Sequence, residues 1–542
     1  MTHAADLPFR SRRAPVLSST GMVATSQPLA AQAGVEILRA GGNAADAAVA
    51  TAAALTVVEP AATGVGGDCF ALVFDAASRR VFAMNGSGRA PAALSIPALA
   101  ERGISDVMPL RSPHAVTVPG AVAGWADTLA RHGRMPLADV LRPAIRLAER
   151  GFPVSPLIAA YWAELTPALI DQPNFHELLL DGRPPRAGET WRNPGLATVL
   201  QEIADGGVDA FYRGRIAEAI VAVLADAGGL MQPEDLAAHH STFEPPIATE
   251  YRGHRVYECR PNGQGITTLI ALNLLEGFDL AALDPVSPEH LHYLIEAMRL
   301  AFEDARAYVA DPAIARVPID GLLAKSYADE RRALIDPEHA ATSAAAGEPV
   351  RGSDTVYLAV VDAEGNGCSF INSVYQGFGT GIVPRGLGFS LHNRGANFSL
   401  DPSHPNALAG LKRPYHTIIP ALSTYPDGSL HAVFGVKGAF TQPQGQVQVF
   451  VQMVDHGLDP QAALDVPRFC LRPASASGEV HLETGIPVGT MRELERRGHM
   501  VVPSTDRFVF GTGQAIRRDA ETGAFWGGTD PRADGAAIPA LA

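Results

Sequence analysis

The stretch RGSDTVYLAVVDAEGNGCSF, residues 351–370, joins two kinds of chain. Gly352-Ser353-Asp354 is turn-forming, as is DAEGN at 362–366. Between them Val356–Val361 runs without a polar break. A half-exposed strand alternates apolar and polar residues, so an unbroken run of this length reads as a strand covered on both faces. Thr355 stands at its edge. Inside a strand, threonine is simply a β-branched residue that suits the pleat. As the first residue of a new chain it is something else: a nucleophile whose own α-amino group, of pKa near 8, serves as its base. That state requires the Asp354–Thr355 bond to be cut. The hydroxyl attacks the preceding carbonyl, the acyl group shifts from nitrogen to oxygen, and water opens the ester.

The segment before this junction suits a cut. From 313 to 354 the chain is rich in Ala, Pro, Asp and Ser, and DPEHAATSAAAGEP (336–349) is its least structured part, an exposed linker. After the junction, Cys368–Val374, Ile418–Leu422 and Leu430–Phe434 read as strands, with a helix around Gln446–His456. Toward the N-terminus helices dominate. Ser26 can cap a helix ending at Gly41-Gly42, and Asn43 can cap the Ala-rich helix that stops before Pro60. Ala71–Phe74 and Val81–Met84 read as strands. Ser287 and Pro288 start a long helix through 309. The reading is a helix-covered layered fold with its strands concentrated in the C-terminal third.

With 542 residues, 47% hydrophobic and 18% charged, the chain has ample core. A net charge of −14 gives no electrostatic case for nucleic acid or an anionic membrane as partner. The glycine loop TGVGGDCF (63–70) follows a helix and precedes a strand, the reverse of a dinucleotide-binding turn. Cys69, Cys259, Cys368 and Cys470 lie far apart and read as buried free thiols. His290 and His292 are two apart on a helix, not at the three- or four-residue spacing of paired metal ligands, so no metal is expected. The first twenty residues lack the apolar run of a signal peptide, and Ala44–Val58 is too short for a membrane span. A cytoplasmic location is the expectation.

Six blocks, GMVATSQPLAAQAGVEILRAGGNAADAAVA (21–50), EPAATGVGGDCF (59–70), VTVPGAVAGW (116–125), DTVYLAVVDAEGN (354–366), GFGTGIV (377–383) and LKRPYHTIIPAL (411–422), occur in the order found in the γ-glutamyltranspeptidase family of N-terminal-nucleophile hydrolases, which the chain resembles over nearly its whole length. The resemblance implies an α+β fold, a four-layer αββα sandwich made as one precursor and self-cleaved before the threonine. It places the cut between Asp354 and Thr355, giving a helix-rich large subunit, 1–354, wrapped around strands shared with a small subunit, 355–542. The two fragments would stay together as a heterodimer, which could itself pair, and no cofactor is needed. Ser373 takes the place of a second hydroxyl residue that bonds the nucleophile's amine. Gly438-Ala439 in FGVKGAF (434–440) takes the place of a Gly-Gly pair whose N–H groups bind the oxyanion, provided Ala439 keeps a negative φ. Lys437 beside it either faces solvent or reaches toward the substrate.

The family's γ-glutamyl clamp is not reproduced. Ser87 stands where the family has a carboxylate-binding arginine, with Arg89 two residues later. Asn397 replaces an acid that holds the α-ammonium, and Arg394 replaces a glutamine. His416-Thr417 replace a Ser-Ser pair, and Tyr375 replaces an asparagine. Asparagine cannot neutralise an ammonium, whereas an arginine can clamp a carboxylate through two parallel bonds. The expected activity is therefore acyl transfer to Thr355 from a small anionic amide, as in the family's oxamate amidohydrolase and acylase branches. The alternatives are γ-glutamyl transfer or glutathione hydrolysis with a rearranged clamp, and an unprocessed relative without catalysis.

Overall fold

The computed structural model describes residues 13–341, 354–472 and 478–541; Ser353 and the end of the expected linker, 342–353, lie outside them. Two seven-stranded antiparallel sheets pack face to face. The first runs, in spatial order, through the strands at 536–539, 21–25, 354–362, 367–375, 68–75, 80–86 and 242–244. The second runs through 16–18, 525–529, 512–518, 430–437, 421–424, 254–258 and 247–251. Each sheet therefore mixes strands from before and after residue 354. The expected concentration of strands in the C-terminal third is corrected: Gly21–Thr25, Asp68–Asp75 and Arg80–Gly86 are integral to the first sheet. Asp68–Asp75 and Arg80–Gly86 contain the strands expected at 71–74 and 81–84, whereas the shorter Gly21–Thr25, next to a helix start, gave no strand signal of its own.

The run at 356–361 explains the layering. Val356, Leu358 and Val360 pack outward into a core shared with the fully buried helix Ala44–Val58. Tyr357, Ala359 and Val361 point inward, where they meet Ile418, Leu422, Val433 and Ile516 from the second sheet's side. Successive side chains of a strand alternate faces, so both sets are apolar only because both faces are covered. Each such side chain contributes roughly 1.5–3 kcal/mol by leaving water. The approach of the sheets is close: a Cβ on Gly435 would lie 2.4 Å from the Tyr357 ring. On the outer face of the second sheet, Gly265–Leu275 and Thr441–Val454 complete the fourth layer through Ala432, Phe434 and Val436.

Local signals held where capping chemistry is strong. Asn43 caps its helix and forms a capping box with Asp46, and Ser287 caps Pro288–Tyr308. One cap is corrected: Gln27, not Ser26, accepts from Leu29 and Ala30 N–H, while Ser26 donates instead to Glu59. The strand expected at Ile418–Leu422 begins later, at Ala421. All four cysteines are buried and free. His290 and His292 are buried as well, each against a histidine from beyond residue 450: His290 lies 3.1 Å from His456 and His292 2.8 Å from His499. No described helix is long and apolar enough to cross a membrane.

Candidate active site

Thr355 is the second residue of its strand, where the ladder to Gly367–Tyr375 shifts register. Asp354 pairs with Tyr375 and Val356 with Asn372, so Ser373 and Val374 together oppose Thr355. A bulge of this kind re-aims side chains. Thr355 Oγ1 lies 3.0 Å from Ser373 Oγ, both fully buried. Ser373 Oγ also accepts the Tyr375 N–H at 2.8 Å, which fixes the serine rotamer. That contact depends on Tyr375 adopting φ +76°, a left-handed conformation uncommon for a residue with a side chain. Ser373 thus meets the Thr355 hydroxyl, where the family resemblance has it bond the amine.

The strand Leu430–Lys437 ends in a turn, Gly438-Ala439, that feeds the helix Thr441–Val454. The turn's carbonyls are spent: Gly438 O accepts from Thr441 N at 2.8 Å, and Ala439 O accepts from Gln442 N and from Gln264 Nε2 at 2.8 Å. Neither N–H donates to another group among the described residues. Two unspent donors beside a helix N-terminus are suited to a developing oxyanion. The expectation of a negative φ at Ala439 is overturned: φ is +133° at Gly438 and +46° at Ala439. Alanine in this region costs about 1–2 kcal/mol, and glycine would give back about 0.4–1 kcal/mol through the unfolded chain. Ala439→Gly should therefore stabilise the protein by up to about 1 kcal/mol with hydrolysis retained; a lower melting temperature would contradict the strain. Lys437 is tied back by Glu59 at 3.2 Å, the same carboxylate that accepts the Ser26 hydroxyl. Ser26, Glu59, Gln376, Lys437, Gly438 and Ala439 all line a groove of about 890 Å³.

Beside the hydroxyl pair lies a buried charged cluster that sequence reasoning missed. Asp68 begins the strand Asp68–Asp75 and pairs across the ladder with Ser373. Its carboxylate receives Arg394 Nε at 3.1 Å and Nη2 at 3.3 Å, and His416 Nε2 at 2.6 Å. His392 Nδ1 lies 3.4 Å away. Burial alone would push the Asp68 carboxyl up, but Arg394 and the two histidines hold it well below the usual carboxylate range. His416 is pushed down to about 4 by burial and by Arg394, so near neutrality it is uncharged. Its tautomer then follows: Nε2–H donates to Asp68 while Nδ1 accepts the Ile418 N–H at 3.3 Å. The signal for Asp68 was an acid among residues that the fold buries completely; such a charge must have a partner.

Arg394 is held on its other sides too. Nη1 donates to Thr417 Oγ1 at 2.7 Å, and its guanidinium lies 4.4 Å from the centre of the Tyr375 ring. The Tyr375 hydroxyl, pushed up to about 12 by burial, donates to Asn397 Oδ1 at 2.6 Å. Asn397 Nδ2 in turn donates to Tyr415 O. Thr355, Ser373, Tyr375, Arg394, Asn397, His416 and Thr417 are thus one connected network. Arg89 stands outside it. Half-buried after the strand Arg80–Gly86, it makes no side-chain hydrogen bond or ion pair among the described residues. Nearby, Arg413 is pushed down to about 10 by burial and by the charge of Arg89. Ser87 is buried on Asn85 and Asn262. Among the described residues, no group of three or more His, Cys, Asp or Glu side chains is placed to hold a metal.

Residues 30–540 match the family profile described as Gamma-glutamyltranspeptidase. The glutathione hydrolase-like YwrD proenzyme of Bacillus subtilis is 39% identical over 96% of this chain and 99% of its own length. The oxamate amidohydrolase proenzyme of Klebsiella pneumoniae is 35% identical over 96% and 98%. Among solved structures, the cephalosporin acylase from Bacillus halodurans superposes with a TM-score of 0.91 and 44% identity over the full length of both chains. The two-sheet sandwich, the Thr355–Ser373 pair and these similarities agree: the chain belongs to the γ-glutamyltranspeptidase family of N-terminal-nucleophile hydrolases.

Proposed function

We propose that the chain cuts itself between Asp354 and Thr355, and that the exposed Thr355 then hydrolyses a small amide through an acyl-enzyme. The observation that carries this reading is the 3.0 Å contact between Thr355 Oγ1 and Ser373 Oγ at the end of the Asp354–Asp362 strand. Fragments 1–354 and 355–542 would remain one body, because each sheet interleaves strands from both. After the cut, the free amine takes the proton of Oγ1 as the hydroxyl attacks the amide carbon. The Gly438 and Ala439 N–H groups receive the oxyanion, the amine leaves, and water resolves the ester.

The relative named as an acylase supports acyl transfer, and the one named as an oxamate amidohydrolase supports an acyl group with an anionic end. Arg89, half-buried and without an ion pair among the described residues, is the residue we assign to that end. Tyr375, Asn397, His416 and Thr417 would wall the acyl side, and Arg394 would brace them. The reading is tested by comparing oxamate, a glutaryl anilide and a γ-glutamyl anilide. Hydrolysis of either of the first two, with the third at least tenfold slower, is expected. Turnover of the γ-glutamyl anilide at about 10⁴ M⁻¹s⁻¹ or above, typical of a proper substrate, would contradict it.

A further inference from the structure

We infer that Asp68 is the built-in occupant of a carboxylate slot: it fills on Arg394 the place an acidic substrate's carboxylate would take, and so restricts which acyl groups enter. This rests on Thr355 being the nucleophile. Arg394 presents one edge, Nε and Nη2, to the two oxygens of Asp68 at 3.1 and 3.3 Å, the two-bond geometry by which arginine recognises carboxylates. The His416 Nε2–H adds a third donor at 2.6 Å. Among the described residues these donors bond nothing else, while Thr417 and the Tyr375 ring hold the guanidinium in place from other sides.

The slot is next to the chemistry. Asp68 is the direct cross-strand partner of Ser373, one strand spacing of about 4.8 Å from the residue that touches Thr355. Asp68, Arg394, His416 and Thr417 are fully buried, and none of them lines the groove at Gly438-Ala439. A second carboxylate brought to Arg394 would displace or oppose the first in a medium that screens charge poorly. An incoming ammonium would have to share Asp68 with Arg394 and His416, which already bond both its oxygens and offset its charge. Removing the Asp68 carboxylate while keeping Arg394 and His416 leaves three donors converging on an empty, carboxylate-sized space. The ligand class it would take is a simple carboxylate or the carboxylate end of an acyl chain.

The test uses Asp68→Ala in the full chain, with acetate as probe. Acetate at 50 mM should raise the melting temperature of D68A by at least about 3 °C and leave wild type within about 1 °C, because only the variant has a site to fill. In self-cleaved D68A, the kcat/KM ratio of a glutaryl anilide to its uncharged butyryl counterpart should rise about tenfold or more over wild type. Acetate should inhibit the glutaryl reaction and spare the butyryl one. If D68A is insoluble, its yield on refolding in 50 mM acetate against 50 mM chloride is the readout, and rescue by acetate alone supports the slot. Indifference of D68A to acetate in melting or refolding, or an unchanged substrate ratio, overturns it. If neither protein cleaves itself or hydrolyses any anilide, the nucleophile reading fails, while the melting and refolding arms still decide whether the slot exists.

Discussion

Thr355→Ala should leave the chain as one 57.0 kDa species on denaturing electrophoresis and bring amide hydrolysis down to background. The same hydroxyl is assigned to the self-cleavage and to the acyl transfer, so one substitution removes both. Removing a nucleophile of this kind typically costs 10⁴-fold or more in rate, with only oxyanion and binding effects left. The substitution deletes a hydroxyl and a methyl from a fully buried site, and the retained strand core from Val356 to Val361 keeps the fold. Thr355→Ser gives the control: slower, but still cleaved. Efficient cleavage of the alanine variant would move the attack to another hydroxyl, Ser353 first, and the catalytic assignment would fall with it.

Arg394→Met should be the most destabilising single change in the site, by about 3–5 kcal/mol near neutral pH. The side chain keeps its length, but Asp68 loses the charge that holds its carboxyl below the usual range. The pH dependence carries the sign. In wild type the folded-state pKa of Asp68 is depressed, so its contribution is present above about 3.9 and is lost as pH falls below that. In the variant burial dominates and the folded-state pKa is raised, so the carboxyl is penalised at neutral pH and relieved as it protonates. The gap between variant and wild type in apparent urea midpoint should therefore shrink from pH 7.5 to pH 4.5. An equal gap at both values would mean that lost packing, not the stranded carboxylate, is the cause.

The parts of this fold that could be read in advance are those fixed by local chemistry. Val356–Val361 announced a strand covered on both sides, and Asn43 and Ser287 announced helix starts, because burial and capping leave their mark within a few residues. Ser26 misled because it and Gln27 can each cap, and Glu59, thirty-three residues on, claimed the serine. The charged cluster escaped for a similar reason on a longer scale. Asp68 and Arg394 are 326 residues apart and meet only once the sheet has formed. Arg394 alone looked like a free cation for a substrate; its meaning changed when its partner was known. The positive φ of Ala439 was equally invisible, since alanine seldom adopts it and the turn is held from outside by Gln264.

The central claim is that Thr355 becomes the first residue of a chain. N-terminal sequencing and intact mass of the purified, denatured wild-type protein test it directly. Two fragments are expected, of about 37 and 20 kDa when 57.0 kDa is divided in the ratio 354:188, the smaller beginning Thr-Val-Tyr-Leu. A single 57.0 kDa chain that persists on incubation, or a smaller fragment with any other first residue, would contradict it.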